Sequence, residues 1–185
     1  DLSMLTVANG YSVASDGGTG LAMTILAGGG NDTINGGDGI DLITVGAGDD
    51  TVSGGLGLDV FTIDGGDNNI TDLAVGGNEV VTVAAGATVT ATTTGNWAAT
   101  AATQNLGSAA ADFNINVDTT DTVNLTSATV TTAASDGFTV TSTGTGAITG
   151  STGNDALTNT SGNAAYTGLA GLDTFTVTAG DVTIS

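Results

Sequence analysis

From Ala27 the chain reads AGGGNDTIN, GGDGIDLIT, VGAGDDTVS, GGLGLDVFT and IDGGDNNIT, five nine-residue windows in succession with no insertion between them. Position four is always glycine (Gly30, Gly39, Gly48, Gly57, Gly66), position six is Asp or Asn (Asp32, Asp41, Asp50, Asp59, Asn68), and position eight is apolar (Ile34, Ile43, Val52, Phe61, Ile70). A unit of nine residues cannot bury a core of its own. Such units become stable only by stacking, each covering the apolar side of the next.

The register returns near the C-terminus as GSTGNDALT, NTSGNAAYT, GLAGLDTFT and VTAGDVTIS. Here the apolar position holds Leu157, Tyr166, Phe175 and Ile184, but only Asp155 and Asp173 keep the acidic position, with Ala164 and Val182 in the other two. A longer period lies above the short one, since GLDVFTIDGGDNNIT from Gly57 resembles GLDTFTVTAGDVTIS from Gly171. Between the arrays, stretches such as EVVTVAAGATVTATTT, FNINV, TVNLTSATVTT and FTVTS alternate with period two and are rich in β-branched residues, which predicts strands. The Ala-rich run from Asn96 has no clean helical period and leaves a short helix open.

Each repeat position has a physical reason. Glycines let the backbone turn its carbonyls inward around a small concavity. The acid at position six closes that concavity, and the apolar residue two places on starts a strand and points into the core. Six residues of turn and three of strand make half a coil, so windows two apart lie above one another, eighteen residues per turn.

The charge balance says what else such a stack needs. There is no Lys, Arg or His against nineteen Asp and Glu, a formal net charge of −19, so no carboxylate has a side-chain ion-pair partner within the chain. Self-repulsion on this scale opposes compaction unless cations come from solution. Without cationic side chains, neutralising the phosphates of a nucleic acid or attaching to an anionic lipid surface is excluded. No run is long enough to insert into a membrane as a helix, and with no cysteine the chain has neither disulfides nor thiolates for soft metals. Carboxylates and carbonyls suit hard cations.

These repeats resemble the RTX (repeat-in-toxin) family, whose unit is GGxGxDxUx with U a large apolar residue; GGDGIDLIT and GGLGLDVFT match it at every defined position. The resemblance implies an all-β fold, a right-handed parallel β-roll or β-solenoid with calcium ions between the turns of successive coils. It implies that Asp32 shares a site with Asp50, Asp41 with Asp59, Asp50 with Asn68, and Asp155 with Asp173. The turn glycines Gly28, Gly30, Gly37, Gly39, Gly46, Gly48, Gly55 and Gly57 would offer the backbone oxygens. Several Ca2+ ions are expected, with the Ala164 and Val182 edge departing from the motif. Asp38, Asp49, Asp64 and Asp67 lie off position six and add to the local negative field. Asp16, Asp112, Asp118, Asp121 and Asp136 lie outside the repeats and read as solvated turn residues.

The organisation expected is entry strands over 1–26, a first calcium-binding array over 27–75, a Thr/Ala-rich β segment over 76–141 and a second, degenerate array over 142–185. The first ten residues have no initiator Met, basic region or apolar signal core, and read as part of a longer chain. No catalytic function is expected, because the chain lacks His, Cys, Lys and Arg, and nothing beyond spacing recommends the Asp118 and Asp121 carboxylates as an acid–base pair. The expected role is a calcium-stabilised building block of a secreted bacterial surface layer or extracellular filament, exported by a type I-like route and self-associating into a polymer. The alternatives are an adhesin module, for which Trp97 is the only candidate sugar-stacking aromatic, an RTX region of a larger secreted enzyme, and ice binding. The last would need a regular threonine face, and the spacing of TVTATTT and its neighbours in sequence is irregular.

Overall fold

The computed structural model describes residues 10, 12–14, 20–107, 109, 112–130 and 137–185. Alternation of apolar and polar residues makes each repeat a short strand with one face inward, and all strand pairings among the described residues are parallel. Numbered in chain order, β1 (Ser12–Ala14), β3 (Thr33–Asp38), β5 (Thr51–Leu56), β7 (Asp67–Leu73), β9 (Thr88–Thr93), β12 (Phe113–Val117), β15 (Thr139–Ser142), β17 (Ala156–Asn159) and β19 (Thr174–Val177) form one nine-stranded sheet. This sheet runs through both repeat arrays and the segment between them, so the described chain is a single β-solenoid of about eight turns.

Two shorter sheets close the coil. The first comprises β2 (Thr24–Leu26), β4 (Leu42–Thr44), β6 (Val60–Ile63), β8 (Val80–Val83), β11 (Gln104–Asn105) and β14 (Thr129–Val130). The second comprises β10 (Trp97–Ala98), β13 (Val123–Asn124), β16 (Ile148–Thr149), β18 (Ala165–Thr167) and β20 (Thr183–Ile184). In the first array each coil is two-sided and eighteen residues long, as the bond from Asp41 N–H to Asp59 shows. In the middle all three sheets contribute and the repeat lengthens step by step, from 21 residues between Asn69 and Thr90 to 26 between Trp97 and Val123. The second array returns to two sides and eighteen residues. Among its described residues the Ala-rich run holds β10 and β11 with turns between them, and no α-helix.

Position eight fills the core. Ile34, Val52 and Ile70 stack inward from the long sheet, and Ile43 and Phe61 from the sheet opposite, all essentially inaccessible to solvent. Each such side chain contributes roughly 1.5–3 kcal/mol of burial. The wider three-sided interior needs larger groups, and there the rings of Trp97, Phe113 and Phe138 pack in series, with centroids 6.3 and 5.2 Å apart. In the last described coil Phe175 is only partly covered and Ile184 is exposed.

The outer face of the long sheet is made mainly of threonine and asparagine side chains, with the Asp67 carboxylate of β7 exposed among them. Thr33, Thr51, Asn69, Thr90, Asn114 and Thr139 stand in one outward column, and Thr92, Asn116, Thr141, Thr158 and Thr176 in a second. The spacing in sequence is irregular only because coils differ in length; strand register restores the alignment.

Candidate functional site

The turns of the first array form two edges. On one, Asp32, Asp50 and Asn68 are stacked and buried. The N–H of Asp32 donates to Asp50 Oδ1 at 2.7 Å, and the N–H of Asp50 donates to Asn68 Oδ1 at 3.1 Å. The row ends at Asn68, whose side-chain amide donates to the carbonyls of Gly65 (2.7 Å) and Thr88 (3.2 Å). Those carbonyls are thereby satisfied by the protein itself.

On the other edge the N–H of Met23 donates to Asp41 Oδ1 (2.6 Å) and the N–H of Asp41 to Asp59 Oδ1 (2.8 Å). Thus each position-six carboxylate uses one oxygen to tie down the coil before it. The second oxygen of Asp41, Asp50 and Asp59 is buried and accepts no hydrogen bond. A buried carboxylate oxygen with no donor costs several kcal/mol unless a positive charge reaches it.

The two edges differ at position one, where Gly36 and Gly54 on the second edge replace the apolar Ala27, Val45 and Ile63 of the first. A Cβ on Gly36 or Gly54 would run into Asp41 Oδ2 or Asp59 Oδ2, so the glycines leave room for the carboxylates. Position four has a different reason. Gly57 has φ of 145° and stacks on the Gly39 carbonyl, and Gly48, at 138°, on that of Gly30, so these oxygens face the gap between coils. The Gly37 carbonyl faces Gly55 in the same way, and the Gly28 carbonyl faces Gly46 while also accepting the Ala47 N–H at 2.9 Å.

One further acid belongs to the second edge. The register of Val60 with Val80, and the bond from Val80 N–H to the Asp59 carbonyl (2.8 Å), place Glu79 one coil beyond Asp59, buried beneath it. Sequence reasoning missed Glu79, as its turn carries two extra residues. The match of NEVVTV to LDVFTI was the available signal. Asp72, beside it, is satisfied by Ser53 Oγ (2.6 Å) and the N–H groups of Gly54 (3.1 Å) and Gly55 (2.8 Å). Burial pushes Asp59 up to about 6 and Glu79 up to about 7, and raises Asp50, in each case with added repulsion from neighbouring carboxylates.

The second array brings Asp155 and Asp173 together, with the Asp155 N–H donating to Asp173 Oδ1 at 3.0 Å. Asp155 nevertheless differs from Asp41 and Asp59. Its carboxylate accepts from the N–H of Phe138 (2.8 Å), the N–H of Ser151 (2.7 Å) and the Ser151 hydroxyl (3.0 Å), so both oxygens are satisfied. Burial still pushes it up to about 6. On the opposite edge Ala164 is buried and Val182 partly so, and apolar packing replaces the acid.

Of the remaining acids, Asp49 and Asp67 form an exposed ladder beside the first edge, the Asp67 N–H donating to Asp49 Oδ1 at 3.0 Å. Asp118 is exposed, Asp121 accepts from the Thr93 hydroxyl (3.0 Å) and Asp112 from the Ala109 N–H (3.0 Å). Asp16 and Asp136 lie outside the described residues. No three acidic side chains converge on one point among the described residues, so any ion here takes one or two carboxylates together with backbone oxygens. Trp97 is buried, its indole N–H donating to the Glu79 carbonyl at 3.1 Å.

Residues 26–61 match the family model of the RTX calcium-binding nonapeptide repeat, 4 copies. No curated protein and no solved structure matches the chain.

Proposed function

We propose, from the RTX calcium-binding repeats at residues 26–61, that this chain is a calcium-stabilised structural module of a secreted bacterial surface layer or extracellular filament, which folds as it binds calcium outside the cell. The observation that carries this reading is the set of buried, donorless oxygens on Asp41, Asp50 and Asp59 in a chain with no cationic side chain. The donors available are carboxylate and carbonyl oxygens, which fit a hard dication. Asp32 with Asp50, and Asp41 with Asp59, would hold the ions, with oxygens from Gly30, Gly37, Gly39 and Gly48. The bound dication supplies the positive charge that lets stacked acidic turns approach. At low calcium the carboxylates repel and the glycines keep chain entropy high; at millimolar calcium the coils lock.

Assembly in this reading uses the outer face of the long sheet, whose threonine and asparagine columns carry no charge and let copies approach laterally with less repulsion than the acidic turns would allow. Far-UV circular dichroism under calcium titration should show coil turning into β-structure, and a spectrum unchanged by chelator sinks the coupling. Electron microscopy with and without calcium separates a polymer from a soluble adhesin. No catalytic role is part of this reading. A second reading is favoured by the same outer face, whose columns repeat every ~4.8 Å from strand to strand: aligned rows of hydroxyl and amide groups of this kind can adsorb to ice. Ice-recrystallisation assays test it.

A further inference from the structure

Glu79 sits where the second edge leaves the nonapeptide register. The turn before Asp59 has six residues, Gly54 to Asp59, whereas the turn before Glu79 has eight, Asp72 to Glu79. The extra methylene of glutamate suits the wider turn. Glu79 Oε2 accepts from the Ala74 N–H at 2.6 Å, and Oε1 is buried without a donor. Asp59 Oδ2, one coil earlier, is in the same condition. The acids facing Glu79 are Asp59 and Asp72, and Asp72 is already occupied by Ser53, Gly54 and Gly55. The Gly57 carbonyl faces the same turn, 3.1 Å from where a Cβ of Gly76 would be. Trp97 covers the turn through its bond to the Glu79 backbone. Two buried acids with one orphaned oxygen each, and a backbone carbonyl next to their turn, form a site for positive charge that this chain cannot fill from its own side chains.

We propose that Glu79, with Asp59 and the Gly57 carbonyl, holds an additional divalent cation of the calcium type, outside the repeats, at the point where the solenoid widens. This rests on the calcium reading above and adds a site to it. The ion would fasten the two-sided repeat array to the three-sided middle coils through Trp97.

The chain's single tryptophan makes the test specific. Terbium(III), a luminescent substitute for calcium, is excited through a tryptophan only at close range. With excitation at the red edge of the indole band, the protein should show Trp97-sensitised terbium emission that calcium displaces. Glu79→Gln should raise the terbium concentration at half-maximal sensitised emission about tenfold, corresponding to ~1.4 kcal/mol of binding, and reduce bound calcium by one ion per chain in equilibrium dialysis at calcium that just fills the repeat sites. Trp97→Phe should abolish the emission and leave the calcium stoichiometry unchanged. If Glu79→Gln does not fold in saturating calcium, Glu79→Asp, which keeps the charge but shortens the reach, should weaken terbium binding in a folded protein. Emission and stoichiometry unchanged in the Glu79 variant overturn the proposal, leaving a proton as the occupant. Calcium-induced folding without sensitised emission also overturns it while sparing the repeat sites; absence of any calcium binding removes the broader reading instead.

Discussion

Asp41 and Asp59 stand one coil apart, joined by a bond from the Asp41 N–H to Asp59 Oδ1 at 2.8 Å, while the second oxygen of each carboxylate accepts nothing. One oxygen therefore holds coil to coil, and in the proposed reading the other takes a cation. The two functions can be separated experimentally.

Replacing both acids, Asp41→Asn with Asp59→Asn, removes charge while preserving shape and the Oδ1 acceptor. The calcium concentration at the folding midpoint should rise about tenfold or more, ~1.4 kcal/mol per factor of ten. In chelator the double variant should be more stable than the parent, because the buried charge is gone. Circular dichroism titrations measure both; an equal midpoint refutes the pairing.

Without calcium, stability should fall as pH rises. Asp59 and Asp155, raised to about 6, and Glu79, raised to about 7, bind protons more tightly folded than unfolded. Their contribution is therefore fully present below about pH 4 and lost as pH passes through about 6–7. Around Asp59 the facing groups are Asp41, Asp72 and Glu79, all acidic, so no neighbour reverses the sign. Far-UV circular dichroism followed against pH in chelator tests the trend, β-structure being gained on the acid side, and saturating calcium should flatten or invert it.

Turn glycines should separate into two classes. Gly57→Ala meets both a positive φ and the Gly39 carbonyl, and should cost about 3 kcal/mol or more. Gly86→Ala, at φ 85° with open space around it, should cost only the backbone term, about 1–2 kcal/mol. Denaturant unfolding in saturating calcium gives both values.

The second array should depend less on calcium, because Ser151 supplies Asp155 with an N–H and a hydroxyl. Ser151→Ala removes the hydroxyl from Asp155 and from the Gly153 N–H, which it accepts at 3.0 Å. The expected loss is about 1–3 kcal/mol at limiting calcium, with partial recovery as calcium is raised. Hydrogen exchange over residues 150–175 localises the effect.

What could be read from sequence follows the constancy of the period. Where windows keep nine residues, position eight gave the core and position six the stacked acids, from Ile34 and Asp32 through Phe61 and Asp59. The alternation of Ala27, Gly36, Val45, Gly54 and Ile63 at position one already carried the difference between the edges, but its meaning appears only once Asp41 Oδ2 lies against Gly36. Glu79 escaped because two inserted residues broke the count while leaving the stacking intact. The third side and the threonine columns were hidden likewise, as longer coils shift positions in sequence but not in space.

The long sheet has one mechanical implication. Its hydrogen bonds run along the axis of the stack, so tension on the two termini opens one rung at a time rather than shearing many together. Each eighteen-residue rung releases about 60 Å of extended chain, and where a dication bridges two rungs the force needed to part them becomes a function of the calcium concentration in the surrounding solution.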